Sequence, residues 1–280
     1  MAIDILHAFE TEPPPLDFVL PGYLAGTVGC LAAAGSTGKT FWALEAAMGV
    51  CSGEADALLL KLGISTHGKA VILNAEDPAI ILHHRLHNIG KYLAPTARAE
   101  VAANLTVSAV VGHGPNLMDK RWQEAVLRVA EGARLVVLDT LTRWHRSDEN
   151  DNGAMSEILG ILEGIAEKTG AAMLFLHHVS KGMAKDGRQG EQQASRGASS
   201  LTDNARWQAY MQGMCDEAAK DHGIDPEQRG YYVAWGGNKE NYGKKVGKSW
   251  LKREIGGVLI PVDIEKEKKR ASSKKKGEWK

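Results

Sequence analysis

The sequence has few cysteines, no long apolar run and no excess of either charge, and each lack narrows what the chain can be. Its 280 residues hold three cysteines, Cys30, Cys51 and Cys215. They are odd in number and widely spaced and form no C-x-x-C pair, so no disulfide framework is expected. A reducing cytoplasm is the simplest compartment for such a chain. No apolar run is long enough to span a bilayer. The opening "MAIDILHAFETEPPPLDFVLPG" lacks a basic region followed by an apolar core, so neither a signal peptide nor a membrane partner is expected. Lys and Arg number 34 against 34 for Asp and Glu. That balance disfavours a protein that coats duplex DNA over a broad face, but it permits a local basic channel. Internal repeats, a Rossmann glycine fingerprint and a Ser–His–Asp arrangement are also missing.

What remains is ordinary globular composition, 44% hydrophobic and 24% charged. Residues 1–22 read as a Pro-rich arm, extended because each proline fixes φ and removes a donor, and lying on the body or on a neighbouring copy. Residues 265–280 read as a Lys-rich, disordered tail. Between them, in 23–264, apolar strands alternate with helical periodicity. "GTVGCLAA", "KAVILNAED", "NLTVSAVVG", "RLVVLDT" and "AAMLFLHH" are the strands, and segments such as "KTFWALEAAMGVC" and "AMSEILGILEGIAEKTG" are the helices between them. This order predicts an α/β fold with a mostly parallel twisted sheet flanked by helices. After residue 200 strands follow with little helix, which predicts antiparallel strands added in the C-terminal part.

The segment "AAAGSTGKT" sits at a strand-to-helix junction. It departs from G-x-x-x-x-G-K-[ST] only in having Ala33 first, a position where alanine is tolerable if φ stays negative. A phosphate cradle needs inward backbone N–H groups, a lysine and a hydroxyl for Mg²⁺. Gly35, Ser36, Thr37 and Gly38 supply the loop, Lys39 the charge and Thr40 the hydroxyl. Asp139 ends an apolar strand roughly a hundred residues later, where P-loop ATPases place a carboxylate beside the metal. Thr40 and Asp139 are therefore the metal candidates. Glu76, just past a strand that would lie beside the loop strand, is the candidate base, and Asp77 the N-cap of the helix after it. Of His177 and His178, the second is expected to enter the crevice at the γ-phosphate end. ATP and Mg²⁺ are the implied cofactors.

The order of these parts, followed by "HHVSKG", "QQASRGASSLTDNARW" and "NKENYG", resembles RecA-like hexameric ATPases, and more narrowly the RepA-type replicative helicases of broad-host-range plasmids. The likeness runs from about Ile5 to Ile264. It implies a RecA-like P-loop ATPase core and a homohexameric ring. Such a ring hydrolyses ATP between subunits, moves along single-stranded DNA and unwinds duplex for replication, with a replication initiator or primase as a further candidate partner. Arg206 matches the family's arginine-finger position, and Lys239 sits where related rings carry a trans-acting cation. On sequence alone either residue is equally readable as a surface charge.

Ring geometry points to two polar, Gly-rich loops as DNA contacts. Arg143 and Arg146 lie in the first, flanking Trp144, which either stacks a base or packs beneath the loop. Lys181, Lys185, Arg188 and Arg196 lie in the second. "DENDNG" mimics an EF-hand start, but its twelfth position is Leu159 rather than Glu. His83 and His87 have no third metal ligand at a fitting spacing. The alternative function is a RecA-like regulatory DNA-binding ATPase that unwinds nothing. A small-molecule kinase is disfavoured by the lack of an Arg-rich lid, and a partition-type ATPase by the lack of an extra lysine in Ala32–Ser36.

Overall fold

A computed structural model describes residues 2–149, 151–179, 204–243 and 246–264. The chain opens with α1 (Ile5–Glu10) and a small antiparallel pair, β1 (Phe18–Leu20) and β2 (Tyr23–Leu24). It continues through β3 (Val28–Ala33), α2 (Lys39–Cys51), α3 (Gly53–Leu58), β4 (Lys69–Asn74), α4 (Ala79–Gly90), α5 (Pro95–Asn104) and β5 (Leu105–Ala109). Then come α6 (Lys120–Ala130), β6 (Ala133–Asp139), α7 (Asn152–Thr169) and β7 (Ala172–His178). The C-terminal part holds β8 (Trp207–Gly213), α8 (Asp216–Asp221), β9 (Tyr232–Glu240), β10 (Ser249–Arg253) and β11 (Leu259–Val262).

Among the described residues, nine strands form one sheet in the order β11-β10-β9-β8-β3-β7-β6-β4-β5. The six from β8 to β5 are parallel, and β9, β10 and β11 are antiparallel additions. The antiparallel part thus begins one strand later than the residue pattern suggests, because β8 still pairs in parallel with β3. A second expectation fails: β4 is not beside β3. Strands β7 and β6 intervene, so Glu76 reaches the loop from two strands further away. The crossovers that β6 and β7 make through α6 and α7 insert those strands between the two, and the order of strands along a chain does not encode that.

Side chains alternate across the sheet, and the alternation sorts the core into two layers. Leu31 and Ala33 of β3, Leu135 and Val137 of β6, and Leu174 and Leu176 of β7 pack with α2, α3 and α5. Cys30 and Ala32, Val136 and Leu138, and Met173 and Phe175 pack with α6 and α7 on the other face. Helix α2 buries eleven of its thirteen residues, which is why it is apolar nearly all round. Helix α7 shows the one-sided stripe Met155, Ile158, Leu159, Leu162, Ile165 and Ala166, and stops at Gly170 in the left-handed region (φ 73°).

The N-terminal arm is less uniform than its prolines imply. It contains the helical turn α1, and its last residues belong to the β1–β2 pair, which is pinned to the body. Arg134 holds Asp17 through two bonds of 2.7 and 3.0 Å, and Trp207 Nε1 donates to the Pro21 carbonyl oxygen at 3.0 Å. Among the described residues, no helix is long and apolar enough to cross a membrane.

Candidate functional site

A polar cleft opens where β3, β4, β6 and β7 end, over the N-terminus of α2. It is lined by Ser36, Gly38, Lys39, Thr40, Glu76, Asp77, Asp139 and His178, with Phe41, Arg85 and Arg253 at its sides. The same period of two that builds the core aims the polar groups. Asn74, Asp139 and His178 continue the series that faces α2, in which Ile72, Val137 and Leu176 precede them. His177 belongs to the opposite face and is buried there. In register, Ala33 lies beside His178 and Asn74 beside Asp139.

The loop between β3 and α2 needs an unusual backbone. Gly38 has φ 103° and Ser36 φ 64°. A Cβ at Gly38 would also lie 3.3 Å from Arg253 Nη2. Glycine at 38 is thus set by conformation and by a guanidinium from β10 as well as by room for phosphates. Arg253 Nη2 donates to the carbonyl oxygens of Ser36 (3.2 Å) and Thr37 (3.0 Å), so the antiparallel strands brace the loop directly. Ala33 ends β3 and is fully buried, with no positive φ.

Lys39 folds back over the loop. Its Nζ donates to the carbonyl oxygens of Ala33 (2.9 Å) and Ala34 (3.2 Å) and to His178 Nδ1 (3.0 Å). An ammonium only donates, so Nδ1 is the acceptor and His178 Nε2 carries the hydrogen directed at Glu76 Oε1, 3.2 Å away. Burial pulls the Lys39 ammonium down to about 8, against the pull of Asp139 and Glu76 in the other direction. Glu76 also accepts from Thr140 Oγ1 at 2.9 Å. The bond from His178 is the main cause that holds its carboxyl below the usual range, despite partial burial.

Asp139 is nearly inaccessible. Its Oδ2 accepts from Thr40 Oγ1 (2.8 Å) and Asn74 Nδ2 (2.7 Å), while Oδ1 is buried with no hydrogen-bond partner among the described residues. An unshared carboxylate oxygen next to a threonine hydroxyl fits a hard cation that keeps several waters, as Mg²⁺ does. Desolvation raises the Asp139 carboxyl from 3.8 to about 6. A pKa raised in the folded state gives stability that is full below pH 3.8 and lost as pH rises through about 6. Without metal, ionised Asp139 therefore costs the fold roughly 3 kcal/mol at most above that pH. Asp139→Asn is expected to raise the melting temperature of metal-free protein by a few degrees at about pH 8, with the gain shrinking towards about pH 5. Thermal unfolding in chelator across that range checks it, and a gain independent of pH would remove the charge as its cause.

Several residues that shape the cleft escaped the reading of the sequence. Asn74 bonds Asp139 and, through Oδ1, accepts from the backbone N–H groups of Glu76 (3.0 Å) and Asp77 (2.7 Å). A fully buried asparagine ending an apolar strand was its available signal. Asp77 is not the cap of α4. Pro78 holds that position, and Asp77 instead pairs with Arg85 at 2.8 Å. The Asn74 side chain turns the Asp77 backbone so that its carboxylate faces the cleft.

The other candidate residues lie elsewhere. Arg206 is exposed, just before β8. Its N–H donates to the Val28 carbonyl oxygen (3.0 Å) and its own carbonyl accepts from Asn241 (3.3 Å). Lys239 stands opposite Gln208 on the neighbouring β9. Both sit at the start of β3 and β8, the end away from the loop, roughly 16 Å along the strands. Arg143 and Arg146 are exposed beyond Asp139. Trp144 between them is fully buried and packs edge-on against Trp122 at 5.8 Å, so it cannot stack a base in this arrangement. Lys181, Lys185, Arg188 and Arg196 lie outside the described residues.

Three solved structures share this fold. One, described as an ATPase domain, is 16% identical with a TM-score of 0.60, covering 92% of this chain and 96% of that one. A DnaB-like replicative helicase, described with its interactions with primase, is 15% identical with a TM-score of 0.63, covering 92% and 67%. The RadB recombinase is 14% identical with a TM-score of 0.53, covering 86% and 93%. At these identities they establish the RecA-like architecture and nothing finer. A family model described as an AAA domain matches residues 3–184, and with the phosphate loop, Asp139 and the sheet order in place, the chain belongs to that family as a RecA-like P-loop ATPase domain.

Proposed function

We propose that the chain is an ATP-driven DNA helicase of the RepA type, a homohexameric ring that moves on single-stranded DNA and unwinds duplex for plasmid replication. The observation that carries this is the course of β6 and β7. Each ends in a cleft residue, Asp139 or His178, and runs directly on towards a candidate DNA segment. A change at the phosphates would thereby shift the loop that begins one or two residues later. Thr142 Oγ1 donates to Glu149 Oε1 at 2.6 Å, which ties the first of these loops into one unit.

In this reading the N–H groups of Gly35 to Gly38 cradle phosphate oxygens, and Lys39 turns from the Ala33 and Ala34 carbonyls to the β- and γ-phosphates. Thr40 and Asp139 hold Mg²⁺, which when bound neutralises charge on the phosphate oxygens. Glu76 stays ionised at neutral pH and orients and deprotonates the attacking water. His178, hydrogen-bonded to both Lys39 and Glu76, senses the γ-phosphate. Arg206 or Lys239 of an adjacent copy supplies the remaining positive charge. Arg143, Arg146, Lys181, Lys185, Arg188 and Arg196 contact the DNA backbone, and an initiator or primase joins the assembly at the origin.

Single-stranded DNA is expected to raise ATP turnover several-fold, and forks with a 5′ or 3′ tail should be unwound with one polarity. Phosphate release and strand displacement measure the two. The fold shared with the RadB recombinase is equally compatible with a second reading, a regulatory DNA-binding ATPase. Stimulated turnover without displacement of either fork would select it, and protein that stays monomeric with ATP and ignores DNA would sink the motor.

A further inference from the structure

Two buried imidazoles lie beneath the first candidate DNA segment, and the nucleotide cleft uses neither. His145, 5% exposed, follows the short helical turn Leu141–Trp144. His177, 2% exposed, stands near the end of β7 on the face away from α2. His145 Nε2 and His177 Nδ1 are each buried without a hydrogen-bond partner among the described residues. The two rings are close enough for charge on one to act on the other. A buried polar atom left unanswered costs roughly 1–3 kcal/mol, so two in one place need a reason.

The hydrogen bonds show what His145 lacks. Its Nδ1 lies 3.2 Å from the Ser147 carbonyl oxygen, which only accepts, so Nδ1 carries the hydrogen. The neutral ring therefore turns a bare lone pair at Nε2 towards Glu149 Oε1, 3.9 Å away. Glu149 is already oriented, since its Oε1 accepts from Thr142 Oγ1 at 2.6 Å. A lone pair facing a carboxylate repels it. One proton on Nε2 makes the same pair attractive and draws it into a charge-assisted hydrogen bond of about 2.8 Å.

The neighbours decide how that proton is held. On the segment itself, Glu149 is the carboxylate within 4 Å of His145 Nε2 among the described residues. From β7, His177 adds no charge at neutral pH, because burial holds it below the usual imidazole range. Lys39 and His178 oppose a positive charge at His177, and Glu149 favours one. The loop before α6 meets the segment through Leu117 N–H on the Trp144 carbonyl oxygen (2.8 Å) and through Gly114 beside the Arg146 guanidinium. At the start of α7, the Asp151 carboxylate is spent on the N–H groups of Gly153 and Ala154.

We infer that His145 is a positioning residue for DNA contact: proton uptake at Nε2 closes the gap to Glu149, locks the segment 141–149, and holds Arg143 and Arg146 in one register for backbone phosphates. Single-stranded DNA and the proton then bind cooperatively, because each favours the locked segment. The inference rests on the proposed reading in taking this segment as a DNA contact.

The test uses the full chain, isotope-labelled at its histidine rings and titrated by NMR. His145 is assigned by the signal lost in His145→Gln. Glu149→Gln changes a side chain that is 34% exposed, where folding is not at risk. In that variant the His145 midpoint is expected to fall by at least about half a pH unit. A midpoint that stays put overturns the latch. Anisotropy of a fluorescent oligothymidylate at constant ionic strength reads the consequence. Between about pH 8 and pH 6 wild-type affinity should rise roughly fivefold or more, and less than about twofold in His145→Gln and Glu149→Gln. Binding of a fluorescent ATP analogue should be the same in all three, and if His145→Gln fails that control, Glu149→Gln carries the comparison. An equal rise in wild type and Glu149→Gln would overturn the inference and spare the DNA reading. A midpoint that falls as expected with no DNA bound at any pH would overturn the role in DNA contact, and the DNA reading of the segment with it.

Discussion

Lys39→Ala is expected to abolish ATP turnover, with a loss on the order of 10³-fold or more, while the fold persists. The lysine is buried at the mouth of α2 and in this state donates to two carbonyl oxygens of its own loop and to His178. None of those bonds is needed to hold the sheet. Removing the side chain leaves the Ala33 and Ala34 carbonyls to water in an open polar cleft, a modest cost. What disappears is the cation aimed at the β- and γ-phosphates, for which the described residues of the cleft offer no substitute in the same position. Arg85 is committed to Asp77 and Arg253 to the loop carbonyls. The free Lys39 ammonium titrates at about 8, so nucleotide binding above that pH should take up a proton. Calorimetry in buffers of different ionisation enthalpy would detect that uptake in the wild type and its absence in the variant. Phosphate release within tenfold of wild type would remove Lys39 from the chemistry.

Arg206→Ala is expected to lower turnover by roughly 10³-fold, the scale of a missing arginine finger, with nucleotide affinity nearly unchanged. The argument is positional. Arg206 and Lys239 sit together at the end of the sheet away from the phosphate loop, and Arg206 is exposed beside Ser156, Glu163 and Asn204. No side chain spans that length within one chain, so any role in catalysis is served on another copy. Mixtures of variant and wild-type chains should then lose activity faster than the variant fraction grows, because each variant subunit disables a neighbour's site. Activity that falls in simple proportion to the variant fraction would confine Arg206 to its own chain. If Lys239→Ala alone shows the steeper loss, the trans cation is Lys239.

Much of the cleft was legible because strands alternate. Once "AAMLFLHH" is a strand whose Leu174 and Leu176 face α2, His178 must face it too and His177 must not. The same count places Asp139. The phosphate loop was legible because its backbone demands glycine at 38 and its chemistry demands a lysine and a hydroxyl at 39 and 40. Arg253 was not legible. It lies far from the loop in sequence and reaches Ser36 and Thr37 only because β8, β9 and β10 carry it back across the sheet. Asp77 misled for a related reason. Asp before Pro is a good cap by local rules, yet the buried Asn74 amide fixes the backbone there and hands Asp77 to Arg85. Trp144 was ambiguous between two roles until its burial against Trp122 decided for packing.

By itself the sequence determined the alternation of strand and helix, the loop at 35–40, and which residues of each strand share a face. These depend on short-range periodicity and on residue types whose chemistry has few substitutes. Only the tertiary structure decided that β7 and β6 separate β3 from β4, that Arg253 braces the loop, and that Arg206 stands at the far end of the sheet. It also showed that α1 is left without a partner in its own chain among the described residues. Those facts depend on strand order and on long-range contacts, which the pattern along one strand does not contain.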